Sequence, residues 1–203
     1  MNPHPIRLVL TEDDGRRSRL TVFFRVLLSI PHFVWLYLWA IAAQIAALLA
    51  WFAGLVLGRV PGGLHRFIAG YTRYSTHVMA YLCLVANPFP GFTGTAGSYP
   101  VEIDIDDPQR QSRLGIFFRI LLALPAFMIL YVVSAALFLV GFLGWFAALV
   151  TGRMPAGLRD LGAYALRYSA QANGYLLLLT GTYPNSSPRE EAPAPAPAPT
   201  PAL

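Results

Sequence analysis

The chain has 203 residues, of which 56% are apolar and only 12% charged, and its mean hydropathy is +0.51. That is more apolar surface than a soluble domain of this length can hide, and it predicts a mainly α-helical protein integral to a membrane. The net charge of +5 rests on 15 basic residues, all arginine, placed beside the apolar segments rather than in one block; this favours lipid headgroups as partners over nucleic acid.

The first element in chain order is an alternating run, Ile6, Leu8 and Leu10, which returns later as Val101, Ile103 and Ile105. Period two predicts a short half-buried β-strand at the head of each half. Arg7 stands on the polar face of the first, and Glu102, Asp104, Asp106 and Asp107 on or beside that of the second, so the two strands are suited to pair with opposite charges facing. From Ser18 onward the chain repeats itself. Residues 18–90 lie over 112–184 without a gap, each partner 94 positions on, and about 30 of the 73 pairs are identical. One unit has been duplicated. The predicted divisions are a first membrane repeat at 1–90, a linker at 91–98, a second repeat at 99–184 and a disordered Ala/Pro-rich tail at 185–203.

Inside each repeat, Leu20, Phe23, Phe24, Leu27 and Leu28 (and Leu114, Phe117, Phe118, Leu121 and Leu122) recur at helical spacing with arginine on the other side. This predicts a short amphipathic helix at the headgroup boundary, ended or kinked by Pro31 and Pro125. The segments 32–57 and 126–151 follow. At about 1.5 Å per residue, 26 residues make roughly 39 Å of helix against a hydrocarbon core of about 30 Å, so each predicts one spanning helix. Between Arg25 and Arg59 the only side chain that can carry charge near neutral pH is His32, and between Arg119 and Arg153 there is none. After turns at Pro61 and Pro155, a second amphipathic helix is predicted from about Leu64 and Leu158, with Tyr81 to Leu84 able to close instead as a strand.

Small residues recur along the first span at every fourth position: Ala42, Ala46, Ala50, Gly54 and Gly58. The second span carries Ala136, Val140, Gly144, Ala148 and Gly152. Small side chains at this spacing let helix backbones approach closely, so Ala46, Ala50, Gly54, Gly58, Gly144, Ala148 and Gly152 are the predicted helix-packing residues. Arg19, Arg25, Arg59, Arg113, Arg119 and Arg153 border the spans and are the predicted headgroup contacts.

Catalytic chemistry is harder to find. His4, His32, His65 and His77 have no histidine at the equivalent positions of the other copy, which argues against a duplicated metal or proton-relay site. The acidic run at 102–107 invites a cation, but its alternation with valine and isoleucine explains it as a solvated strand face. The lone Cys83 matches Leu177 and allows no internal disulfide. The polar groups within the spans are Gln44 and Ser134, which do not correspond to each other.

Taken together, Ser-Arg-Leu, Phe-Phe-Arg-x-Leu-Leu, Pro, Trp-Phe-Ala, Gly-Arg-x-Pro, Arg-Tyr-Ser and Tyr-Leu resemble the bacterial membrane-protein family catalogued as domain of unknown function 4389, over nearly all of both units. The resemblance implies a small integral membrane domain, often duplicated, with no assigned reaction, ligand or catalytic residue. The expectation is therefore a non-enzymatic, multi-pass protein of the bacterial inner membrane that needs no cofactor. It would serve as scaffold or accessory subunit, partnered by the bilayer and by a membrane protein or a second copy of itself. A small oligomeric transporter is the alternative. Two spans with both termini cytoplasmic and the 87–98 linker outside are expected, against a re-entrant arrangement that keeps every arginine on one side.

Overall fold

A computed structural model of the chain describes residues 3–11 and 14–187. The elements run β1 (Ile6–Leu10), α1 (Arg19–Leu57), α2 (Gly62–Leu82), β2 (Val101–Ile105), α3 (Arg113–Phe117), α4 (Arg119–Thr151) and α5 (Ala156–Leu176). The alternating runs form a two-stranded antiparallel sheet across the repeats, with Leu8 opposite Ile103 and Arg7 opposite Asp104. Arg7 donates to Asp104 Oδ2 at 2.6 Å and to Asp106 Oδ1 at 2.8 Å. The opposite-charge pairing expected from the pattern is present.

The leading helix is not a separate element in the first repeat. α1 runs unbroken for 39 residues with Pro31 inside it, because a proline removes one backbone donor and leaves the rest of the ladder available. In the second repeat a break does occur, but at Phe118 (φ −89°, ψ 15°) rather than at Pro125, which lies within α4. Gly115 stands there where the first copy has Thr21, and glycine disfavours helix by about 1 kcal/mol relative to alanine. The segment after α2 is not a strand either. Leu84 and Leu178 take left-handed φ of 59° and 65° and end the second helices.

Contacts repeat with the same 94-residue offset. Trp51 Nε1 donates to the Ile116 carbonyl and Trp145 Nε1 to the Val22 carbonyl, each at 2.9 Å. Arg113 reaches the Val56 carbonyl and Arg19 the Val150 carbonyl, each again at 2.9 Å. The head of α1 thus meets the tail of α4, and α3, just ahead of α4, meets the tail of α1, so α1 and α4 run antiparallel about a pseudo-twofold axis. Three layers result. The sheet packs on α2 and α5, burying Ile6, Leu8, Val101 and Ile103, and α2 and α5 pack in turn on α1 and α4.

Each long helix buries one narrow stripe, in α1 Val22, Arg25, Ser29, His32, Ala43, Ala46, Ala50 and Gly54. Most of the remaining surface is exposed and apolar, from Leu20 (71% exposed) to Val56 (72%), with Gln44 its polar exception. α1 and α4 are both long and apolar enough to cross a membrane. The 91–98 segment is not a free tether. The Phe92 carbonyl accepts from Trp35 Nε1 at 3.1 Å, and a Cβ on Gly94 would lie 1.8 Å from the Gly70 carbonyl oxygen, so only glycine lets this strand of chain cross α2 so closely. Of the expected tail, residues 185–187 pack on α5: Asn185 N donates to Gln171 Oε1 at 2.9 Å and Tyr164 Oη to the Ser186 carbonyl at 3.0 Å. Residues 188–203 lie outside the described residues.

Candidate functional site

The glycine and alanine stripes are placed unevenly. Ala46, Ala50, Gly54, Gly144 and Ala148 are buried. A Cβ on Gly54 would come 3.0 Å from Ile116 Cδ1, and one on Gly144 2.8 Å from Met154 Sδ. Gly58 and Gly152 have a different task, since both are left-handed helix caps with φ of 69° and 72°, which an L side chain adopts only with strain. The carbonyls left open at these helix ends are the ones that Arg19 and Arg113 reach from the other repeat, a favourable placement for a cation at a helix C-terminus.

Among the six predicted headgroup contacts, Arg25 and Arg119 are corrected by their burial, at 1% and 3% exposed. Arg25 Nη1 donates to the carbonyls of Tyr81 at 2.6 Å and Ala86 at 3.2 Å, and its guanidinium lies 4.2 Å over the Tyr81 ring. Arg119 does the same 94 positions on. It donates to the Thr180 carbonyl at 3.2 Å and to Gln111 Oε1, and lies 4.1 Å over the Tyr175 ring. No carboxylate is among these partners. Tyr81 lies in the last turn of α2, where the helix dipole is negative, and Ala86 and Thr180 lie just beyond the ends of α2 and α5, so the charge is met by backbone instead of lipid. Arg59 and Arg153 are exposed at the ends of the long helices.

Between the repeats lies a cavity of about 430 Å³, within the roughly 300–1,000 Å³ common to small-molecule sites. All four long elements line it: Gln44 from α1, Ser75 and Met79 from α2, Ser134 and Phe138 from α4, and Ser169 and Asn173 from α5. The wall is mostly apolar, with Leu130, Leu137, Leu166 and Leu176. Thr72, Ser75 and Thr76 direct their hydroxyls to backbone carbonyls of their own helix at 2.9–3.0 Å. The side chains of Gln44, Ser134, Ser169 and Asn173 have no hydrogen bond to the protein among the described residues, which leaves their donors and acceptors facing the space. Cys83 also lines the cavity. Burial pushes its thiol up to about 12 despite the Arg25 charge, so it is a neutral wall group.

The two polar residues that looked unrelated along the spans, Gln44 and Ser134, are therefore neighbours of one cavity. Their pairing was invisible because neither maps on the other. It is the antiparallel packing of α1 on α4 that brings unlike positions together. Ser75 and Ser169 are equivalent and face each other across the axis, and the shared Arg-Tyr-Ser was the signal that could have found them. Asn173, opposite Met79 in the repeat, left no signal.

The remaining ionisable groups are engaged elsewhere. Glu102 accepts from the backbone of Gly97 at 2.8 Å and Ile103 at 2.9 Å, and sits 3.6 Å from both Arg73 and His77. Within the acidic run Asp104 and Asp106 are thus paired with Arg7 and Glu102 with Arg73, and no group of three or more His, Cys, Asp or Glu is placed to hold a metal among the described residues. Burial, reinforced by the Arg73 charge, pushes the His77 imidazole down to about 4. The Glu102 carboxylate would raise it, but Arg73 shares that carboxylate and offsets its field, so the burial effect prevails.

Fold and site define a helical two-repeat protein with two candidate membrane helices and one cavity on its pseudo-twofold axis. The family model described as Domain of unknown function (DUF4389) matches residues 19–93 and 113–187, and the chain belongs to that family as two tandem copies. No curated protein matches the chain. No solved structure matches it.

Proposed function

We propose that the protein is a non-enzymatic scaffold of the bacterial inner membrane that holds an apolar chain carrying a small hydrogen-bonding group, such as one acyl chain of a lipid, in the cavity between its repeats. The observation that carries this reading is the lining itself. An apolar wall with four unspent amides and hydroxyls suits a ligand that is mostly hydrocarbon with a polar point, because each such group gains a partner that lipid tails alone cannot supply. Wall groups that could attack a substrate are serines, threonines and a neutral thiol, and no carboxylate or imidazole stands among the cavity residues to activate them. The exposed apolar faces of α1 and α4 support residence in the bilayer, where the ligand is abundant.

The test is lipid co-purification. Protein isolated in mild detergent should carry a stoichiometric lipid or apolar ligand detectable by native mass spectrometry, and Ser169→Trp, which fills the cavity, should lose it while remaining folded. Equal retention by parent and variant would refute the cavity as the site. A small transporter is the second reading, favoured by the position of the cavity at the interface of two oppositely directed repeats. Substrate-dependent flux in pure liposomes would support it.

A further inference from the structure

We propose that the protein occupies one leaflet, with α1 and α4 lying in the plane of the membrane, α2 and α5 at headgroup depth above them, and the sheet in water. This rests on the membrane-resident reading and replaces the expected two upright spans. The argument is the level at which the sheet sits. The axis that exchanges Val22–Trp145 with Trp51–Ile116 passes halfway along α1, between Val22 and Trp51. The sheet is on that axis. Arg73 Nε donates to the Ile103 carbonyl and Gln171 Nε2 to the Ile6 carbonyl, each at 2.9 Å, and neighbouring Tyr74 meets His32 of α1 at 2.7 Å and stacks on Trp39.

Were α1 and α4 upright, this level would be the hydrocarbon midplane. Arg7, Asp104 and Asp106, whose side chains are 31%, 55% and 34% exposed, would then face lipid tails on the outer side of the sheet. Charged groups at the bilayer centre normally turn into a bundle interior or an aqueous cavity, and these do neither. Length points the same way. Helices of 39 and 33 residues are about 58 and 50 Å long, far beyond a hydrocarbon core of about 30 Å, yet they are apolar at both extremes.

Laid flat, every conflict disappears. The apolar layer of α1 and α4 sinks among the acyl chains to roughly the 5–10 Å depth of interfacial helices. Exposed Arg59 and Arg153, with Arg19 and Arg113, then ring one leaflet at both ends of the layer, where guanidinium groups meet anionic headgroups. Both repeats keep one orientation, so the equivalent arginines Arg59 and Arg153 lie on one side of the membrane.

The turns after α1 and α4 decide the matter. Gly63 and Gly157 are equivalent, and added side chains at both meet open space, so Gly63→Cys and Gly157→Cys in a Cys83→Ala background should fold. With a membrane-impermeant maleimide, both should label in the same vesicle preparation, either right-side-out or inverted. Labelling of one in right-side-out and of the other in inverted vesicles would establish two upright spans and overturn the proposal. Recovery of the chain in the supernatant after detergent-free ultracentrifugation would instead overturn the membrane-resident reading beneath it.

Discussion

Replacing Arg25 by methionine tests whether the buried arginines hold the fold or serve the membrane surface. The substitution keeps an unbranched apolar stem and removes the guanidinium. The buried Ala86 carbonyl loses its donor, at about 1–3 kcal/mol, the Tyr81 carbonyl keeps the Leu84 amide but loses a charge-assisted bond of about 1.5–3 kcal/mol, and the stacking over Tyr81 adds about 1–2 kcal/mol for a desolvated cation–π contact. Against this, burying methionine returns about 1.5–3 kcal/mol, and the cost of desolvating the charge is also relieved. The net loss is about 3 kcal/mol, which for a chain of this size lowers the unfolding temperature by about 10 °C. Arg119→Met should destabilise in the same direction, because Thr180 and the Tyr175 ring stand where Ala86 and the Tyr81 ring do, with Gln111 Oε1 in place of the Tyr81 carbonyl, whereas exposed Arg59→Met should stay within about 0.5 kcal/mol. Thermal unfolding in detergent, followed by tryptophan fluorescence, measures all three without any lipid headgroup present. An Arg25→Met midpoint within 2 °C of the parent, at the ~2–4 °C per kcal/mol expected here, would refute the assignment of this residue to the fold.

Three further outcomes are expected. Gly54→Leu and Gly144→Leu push a branched side chain into Ile116 and Met154 respectively and should each destabilise by about 1–3 kcal/mol, while Leu49→Ile, on the exposed face of α1, should be nearly silent; equal thermal shifts at all three sites would show that the stripe carries no packing. His77 is held neutral by burial, with its pKa lowered from 6.5 to about 4, so the unfolded chain binds its proton first and stability should fall by about 3 kcal/mol as pH drops from 6.5 to 4, then level off. His77→Gln should remove most of that slope in urea titrations across this range, leaving a remainder from His4 and His65, which burial also lowers. Truncation after Ser187, which retains the contacts of 185–187 with α5, should leave the unfolding midpoint unchanged, and a fall of several degrees would assign packing to the Ala/Pro segment.

What the sequence determined by itself was what is periodic. The duplication, the two strands, the long apolar helices and the second amphipathic helices are written in short-range pattern, because spacing of two or 3.6 and a 94-residue echo need no knowledge of the fold. Even the pairing of Arg7 with the acidic strand followed from charge and alternation. Tertiary structure decided what each repeated residue does. Arg25 and Arg59 read alike as flanking arginines, yet one is sealed beneath Tyr81 and the other is exposed, since burial depends on which neighbour lies above. Gly54 and Gly58 belong to one stripe, yet one meets Ile116 of the other repeat and the other ends the helix. Gln44 and Ser134 share a cavity only because α1 and α4 run antiparallel. The level of the charged sheet against the long helices, on which the membrane orientation turns, is likewise a relation between layers, and no pattern along a single chain encodes it.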